Sequence, residues 1–175
     1  MATMNVVDAA GNSVPILLRG TVPLNAQHTF NKVVTLTDVV TAAGYAAGDA
    51  IGGLATFAST SIEDGRICIR SIRMAVNSAN LGSNNITCRV FGSAPATPTN
   101  DSAWTLIYNP DMQAMAGSVT LTPIVSGSAA SYNWTGEIWM QPATNSVIAG
   151  MVATAASAII GTAVERRIEI VGTIH

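Results

Sequence analysis

Cys68, Cys88, His28, His175 and the acidic residues Asp49, Glu63 and Asp64 are the side chains with most chemistry to offer. A thiolate and an imidazole can act as nucleophile and base, or as metal ligands, and two carboxylates can share acid and base roles. The spacing supports none of these. The cysteines lie in separate β-like runs with no Cys-x-x-Cys step, and each histidine stands near one end of the chain. A catalytic nucleophile needs a base that a third group holds, and neither histidine belongs to such a motif. Glu63-Asp64 runs directly into Gly65 and Asp49 follows Gly48, so turn chemistry accounts for both. No calcium-loop periodicity links these acids, and Gly52-Gly53 lacks the lysine and helix of a phosphate loop. The expectation is a chain with no catalytic residues, no metal and no cofactor. The cysteines read as small buried hydrophobes, with a disulfide left open, and the histidines as surface residues.

Composition directs attention to association. A chain of 175 residues can form one domain that buries about 70% of its unfolded surface. It is 49% hydrophobic and only 10% charged, where a typical domain has roughly 25% charged residues. The outside must therefore be largely Ser, Thr, Asn, Gly and Ala, and a surface so weakly charged is poorly protected against sticking to other chains. Partner subunits are expected to cover part of it; a secreted β domain is the alternative. With eight Lys+Arg and a net charge of −2, no basic footprint for nucleic acid exists. Only Arg66, Arg70 and Arg73, and Arg166 with Arg167, cluster at all, and these are expected on solvated or interface faces of strands. Residues 138–164 carry no charge, but Gln141, Pro142, Asn145 and Ser146 interrupt them and small residues dominate, so they read as two strands and a loop with no membrane partner. No cationic segment precedes an apolar run near Met1, so no secretory signal is expected, and the sequons at Asn85, Asn100 and Asn133 carry no meaning.

The elements are short and extended. Gly48-Asp49 predicts a turn, followed by a strand with Ile51, Ala55 and Phe57 on one face. A loop over 59–65 should lead to a hairpin partner. In 66–76 the apolar parity slips: Ile67 and Ile69 share one phase, Ile72, Met74 and Val76 the other, so a bulge is expected near Arg70-Ser71. Ile86, Cys88 and Val90 share a face. A surface loop runs over 92–102, and one helical turn is expected within 109–117. Residues 119–125 and 132–140 read as strands, 147–153 as a fully buried strand, and 154–164 as a connection. In the last strand Ile168 and Ile170 should point inward, Arg167 and Glu169 outward. Eight or nine short strands with almost no helix predict an all-β fold, a sandwich, jelly roll or barrel, taken as a jelly-roll-like sandwich over 32–175. Residues 1–31 hold short apolar pieces, Asn5-Val6-Val7 and Val14 to Leu18, broken by Gly11-Asn12-Ser13 and Pro23. They read as an extended N-terminal arm able to join a neighbour's sheet, or as a segment folded back on its own domain.

The pattern Tyr45-x-x-Gly48-Asp49-x-Ile51-Gly52-Gly53 continuing to Phe57, then Gly65-Arg66-Ile67 opening a long strand, then a strand ending Val90-Phe91 before a Pro/Thr/Asn-rich loop, resembles a group of tailed-bacteriophage virion proteins. The resemblance covers mainly residues 33–110. The chain departs from that group around 109–113, where Asp111 stands in place of an acidic loop. The resemblance implies a structural virion component, within that class a capsid decoration, or cement, protein. Such proteins are compact β modules, made in the bacterial cytoplasm, that assemble as homo-oligomers, trimers in the expected case, on the capsid surface. There they bridge subunits of the major capsid protein. On that reading Val14, Ile16, Leu17 and Leu18 dock the arm, and Met112, Met115, Trp134 and Trp139 are candidate contact surfaces. The alternatives are a head-fibre or tail component, or a lectin-like carbohydrate binder. A self-assembling coat fits less well, because residues 1–31 hold Arg19 as their one basic side chain.

Overall fold

The computed structural model describes residues 2–7, 13–18, 28–36, 45–58, 65–76, 84–126, 129–143, 145–154 and 166–175. The chain is all-β, with ten strands among the described residues. β1 (Ala2–Val7) and β2 (Ser13–Leu18) pair with each other as an antiparallel hairpin. The other eight, β3 (His28–Leu36), β4 (Ala55–Phe57), β5 (Ile67–Val76), β6 (Ile86–Phe91), β7 (Met115–Ser126), β8 (Ala129–Met140), β9 (Val147–Ala153) and β10 (Arg166–Ile174), form one antiparallel sheet.

Their order, β3-β10-β5-β8-β7-β6-β9-β4, is that of a jelly roll: a half made of β3, β10, β5 and β8 continues into a half made of β7, β6, β9 and β4. β7 makes the corner. Its first part, to Leu121, pairs with β6, and from Thr122 it pairs with β8 instead. Pro123 sits beyond the β6 ladder, where β7 has a partner on one side only, so its missing N–H costs no ladder bond there. β3 and β4, at opposite ends of the order, contact each other and nearly close the sheet, which removes most of the exposed edge.

One core fills the interior. Phe57, Ile67, Ile72, Met74, Ile86, Val90, Leu121, Tyr132, Ile168 and Ile170 are buried there, drawn from both halves. The phase slip in 66–76 resolves as expected: a register shift between Ile69 and Ser71 against β8, with a matching one at Val171/Gly172 in β10, turns Ile67, Ile69, Ile72, Met74 and Val76 all inward. Ile86, Cys88 and Val90 share the inner face, and Arg167 is exposed between buried neighbours. β9 is buried throughout because both its faces are covered. Val147, Ala149, Met151 and Ala153 enter the main core, whereas Ile148 and Val152 join Ala50, Phe91, Trp104 and Ala114 in a second cluster on the other side.

Several expectations change. The hairpin across 59–65 does not form: β4 pairs with β9, and β5 lies between β8 and β10. The turn chemistry at Gly65 constrains only local direction, and long-range pairing decides the partners. One helical turn does form near 109–117, at Tyr108–Met112, but it ends well before Gly117, because β7 already begins at Met115. β3 begins at His28, so Phe30 is part of the sheet and is buried. Arg166 is fully buried, not on a solvated face; its guanidinium donates to the Ile51 carbonyl. It shares the inward parity of Ile168 and Ile170. Cys68 and Cys88 are free, buried thiols. Residues 38–44, 59–64, 77–83 and 155–165, with Glu63 and Asp64, lie outside the described residues, as do the side chains of Val14, Ile16, Leu17, Leu18 and His28.

Candidate interface surfaces

The outer face of β6 and β9 is roofed by two segments, 45–54 and 92–114, which are tied to each other and to β9 by backbone and side-chain hydrogen bonds. Gly48 adopts φ +96° and Gly52 φ +68°, conformations that favour glycine. Between them the backbone runs beside β9: Gly48 N–H donates to Ala153 O at 2.8 Å and Ile51 N–H to Met151 O at 2.9 Å. On its other side Ala50 N–H donates to Ser102 O at 3.0 Å, and Trp104 N–H to Gly48 O at 3.0 Å. Asn100 locks the two segments, its Oδ1 accepting from Tyr45 Oη at 2.7 Å and from Gly52 N–H at 2.8 Å. The Tyr45 to Gly53 pattern is thus a splice between β9 and the long loop.

Further along that loop Asp111 is buried, with 1% of its surface exposed. Its carboxylate accepts from Ala96 N–H at 2.6 Å and Ile107 N–H at 3.0 Å. Arg89 lies nearby, its guanidinium 4.9 Å from the Trp104 ring centroid and donating to Trp104 O at 2.6 Å. Burial lowers the Arg89 pKa, and the Asp111 charge acts against that lowering. Asp111 therefore pins the base of a turn closed by Met112 N–H donating to Ile107 O at 3.0 Å. The turn's outer side is apolar: Ile107 is 50% exposed, Tyr108 76% and Met112 49%. Large apolar side chains carried on a turn whose backbone is fixed from beneath form a contact ridge whose main chain needs little further ordering on docking.

The sequence-predicted contact residues separate into different places. Met112 belongs to this ridge. Met115 and Trp139 line a different feature, a depression of about 310 Å³ shared with Gly92, Ser93, Gln113 and Gln141. Trp139 is 48% exposed there. Its Nε1 donates to Glu137 at 3.0 Å, Glu137 pairs with Arg70, and the ring lies 4.8 Å from the His175 ring. Those two bonds, from Trp139 and then Arg70, hold the Glu137 carboxyl below its ordinary pKa. Trp134 goes to neither surface. It packs against the core, its indole covering Gly136. Ile107 and Tyr108 were missed as contact residues because nothing in a short apolar run says which side faces out; Asn109-Pro110 after them was the available sign of a turn.

Among the described residues no group of three His, Cys, Asp or Glu side chains is arranged to hold a metal, and no helix is long and apolar enough to cross a membrane. No protein-family model matches the chain, and no curated protein matches it.

Proposed function

We propose that this chain is a non-enzymatic structural protein of a tailed-bacteriophage virion, a decoration protein that binds the outside of the major-capsid shell and bridges neighbouring coat subunits. The observation that carries this reading is the ridge of Ile107, Tyr108 and Met112, apolar, exposed and pinned from beneath by Asp111. Tyr108, 76% exposed, buries little of its ring in its own fold, and aromatic side chains are enriched among the anchors of protein interfaces. The β1–β2 hairpin adds support. Among the described residues it pairs with no strand of the larger sheet, and an isolated two-stranded hairpin is at best marginally stable in water, so packing on a neighbouring subunit would stabilise it. The weak charge of the chain suits adhesion to protein over nucleic acid. A homotrimer, with each copy contributing one hairpin and one ridge, fits the threefold positions a shell offers.

Cosedimentation with DNA-filled phage heads tests the proposal. The wild-type chain pellets with heads; Tyr108→Asp and a chain lacking residues 2–18 each bind at least tenfold more weakly, which corresponds to about 1.4 kcal/mol. Undiminished binding by both variants removes these surfaces from the mechanism.

A further inference from the structure

The depression beside Trp139 differs in chemistry from the ridge. None of the residues that line it carries a charge, and its polar side chains, Ser93, Gln113 and Gln141, are neutral donors and acceptors. Next to them stands an indole, half-exposed but not loose: Glu137 holds its Nε1, Arg70 holds Glu137, and the His175 ring leans on it at an interplanar angle of 48°. The arrangement is a preformed platform: an aromatic face already oriented, with amide groups around it that read hydroxyls.

We infer that this depression binds a neutral hexopyranose unit of a glycan, its C–H face against Trp139 and its hydroxyls hydrogen-bonded to Gln113, Gln141 and Ser93. A pyranose ring has the matching duality, apolar on one face and polar at its rim, and the size fits, since a depression of about 310 Å³ lies at the lower end of the roughly 300–1,000 Å³ found for small-ligand sites. An anionic sugar is disfavoured, because no cation lines the site and Glu137 stands behind the indole. The inference is independent of capsid binding and uses a different surface.

Saturation-transfer NMR on the full chain provides the test, with methyl glucoside, methyl galactoside, methyl mannoside and N-acetylglucosamine as probes and glucuronate as the charged comparison. At least one neutral sugar should show transfer to its ring protons, with a Kd in the millimolar range typical of a weak single-unit contact (about −4 kcal/mol). Trp139→Ala should weaken it at least tenfold and Gln141→Ala measurably, both being surface positions, while Tyr108→Ala on the ridge leaves it unchanged. Silence from all four neutral sugars, stronger transfer to glucuronate, or equal transfer in Trp139→Ala would overturn the assignment.

Discussion

The Asp111 carboxylate accepts the Ile107 N–H at 3.0 Å, and the carboxylate is buried while the side chain of Ile107 is half-exposed. One bond thus joins the interior to an exposed apolar face. Removing it should have a large effect on both. Asp111→Ala leaves the N–H groups of Ala96 and Ile107 without their acceptor, at ~1–3 kcal/mol for each donor that stays buried. The urea midpoint should fall by about 1 M or more, and proteolysis should cut first within 96–111. A midpoint equal to wild type would mean that water replaces the carboxylate at no cost.

Tyr45 and Asn100 should prove energetically coupled. Tyr45→Phe removes one hydrogen bond and should cost about 1 kcal/mol, whereas Asn100→Ala also takes the acceptor from Gly52 N–H and should cost more. A double-mutant cycle by urea denaturation should give a coupling of at least ~0.5 kcal/mol. Strict additivity would separate the Tyr45 segment from the long loop.

The glycines supply an internal comparison. A Cβ at Gly172 would collide with the Cys68 carbonyl and the Phe30 ring, so Gly172→Ala must shift backbone at the β10 bulge and should cost ~1–3 kcal/mol or more. At Gly48 there is open space, but φ is +96°, so Gly48→Ala should lose about 1 kcal/mol through backbone strain alone. Gly92→Ala meets only ordinary contacts at 3.5 and 3.7 Å and should be close to neutral. Thermal melts of the three variants should follow that ranking.

Alkaline pH should destabilise the fold through Cys88 and Tyr132. Burial pushes the Cys88 thiol from 9.0 up to about 12 and the Tyr132 phenol from 10.0 up to about 12. Both groups keep their protons longer when folded than when unfolded, so between these values the unfolded chain binds fewer protons. The stability they contribute is complete below about pH 9 and is lost as pH rises toward 12. Denaturation midpoints measured from pH 8 to 11.5 should decline from about pH 9, with the first part of the decline absent in Cys88→Ala. At pH 8 a disulfide reagent should leave Cys88 unmodified until the protein unfolds.

Patterns of period two were legible in the sequence wherever one face of a strand meets the core. The bulge near Arg70-Ser71 and the inward set of Ile168 and Ile170 both followed from parity, because a one-residue slip would expose every apolar side chain. The double burial of β9 was legible for the same reason, in an unbroken apolar run. Strand partners were not. A loop of turn residues suggested that β4 and β5 pair, yet β4 pairs with β9, far along the chain, and no local signal encodes such a choice. Of the candidate contact residues, Met112 and Trp139 are exposed and Trp134 is not. Trp134 shares the even phase of Tyr132, Ile138 and Met140, all inward-facing, so parity alone argued against it. The roles of Asn100 and Asp111 depend on a loop folding back over the sheet, which composition does not reveal.

Cryo-electron microscopy of phage heads saturated with the purified chain tests capsid decoration most directly. Decoration predicts density for the jelly roll on the outer surface at junctions between coat subunits, with the turn at Tyr108 facing the shell and strand density from residues 2–18 reaching a neighbouring subunit. Density confined to the tail, or heads left bare at saturating concentration, would contradict it.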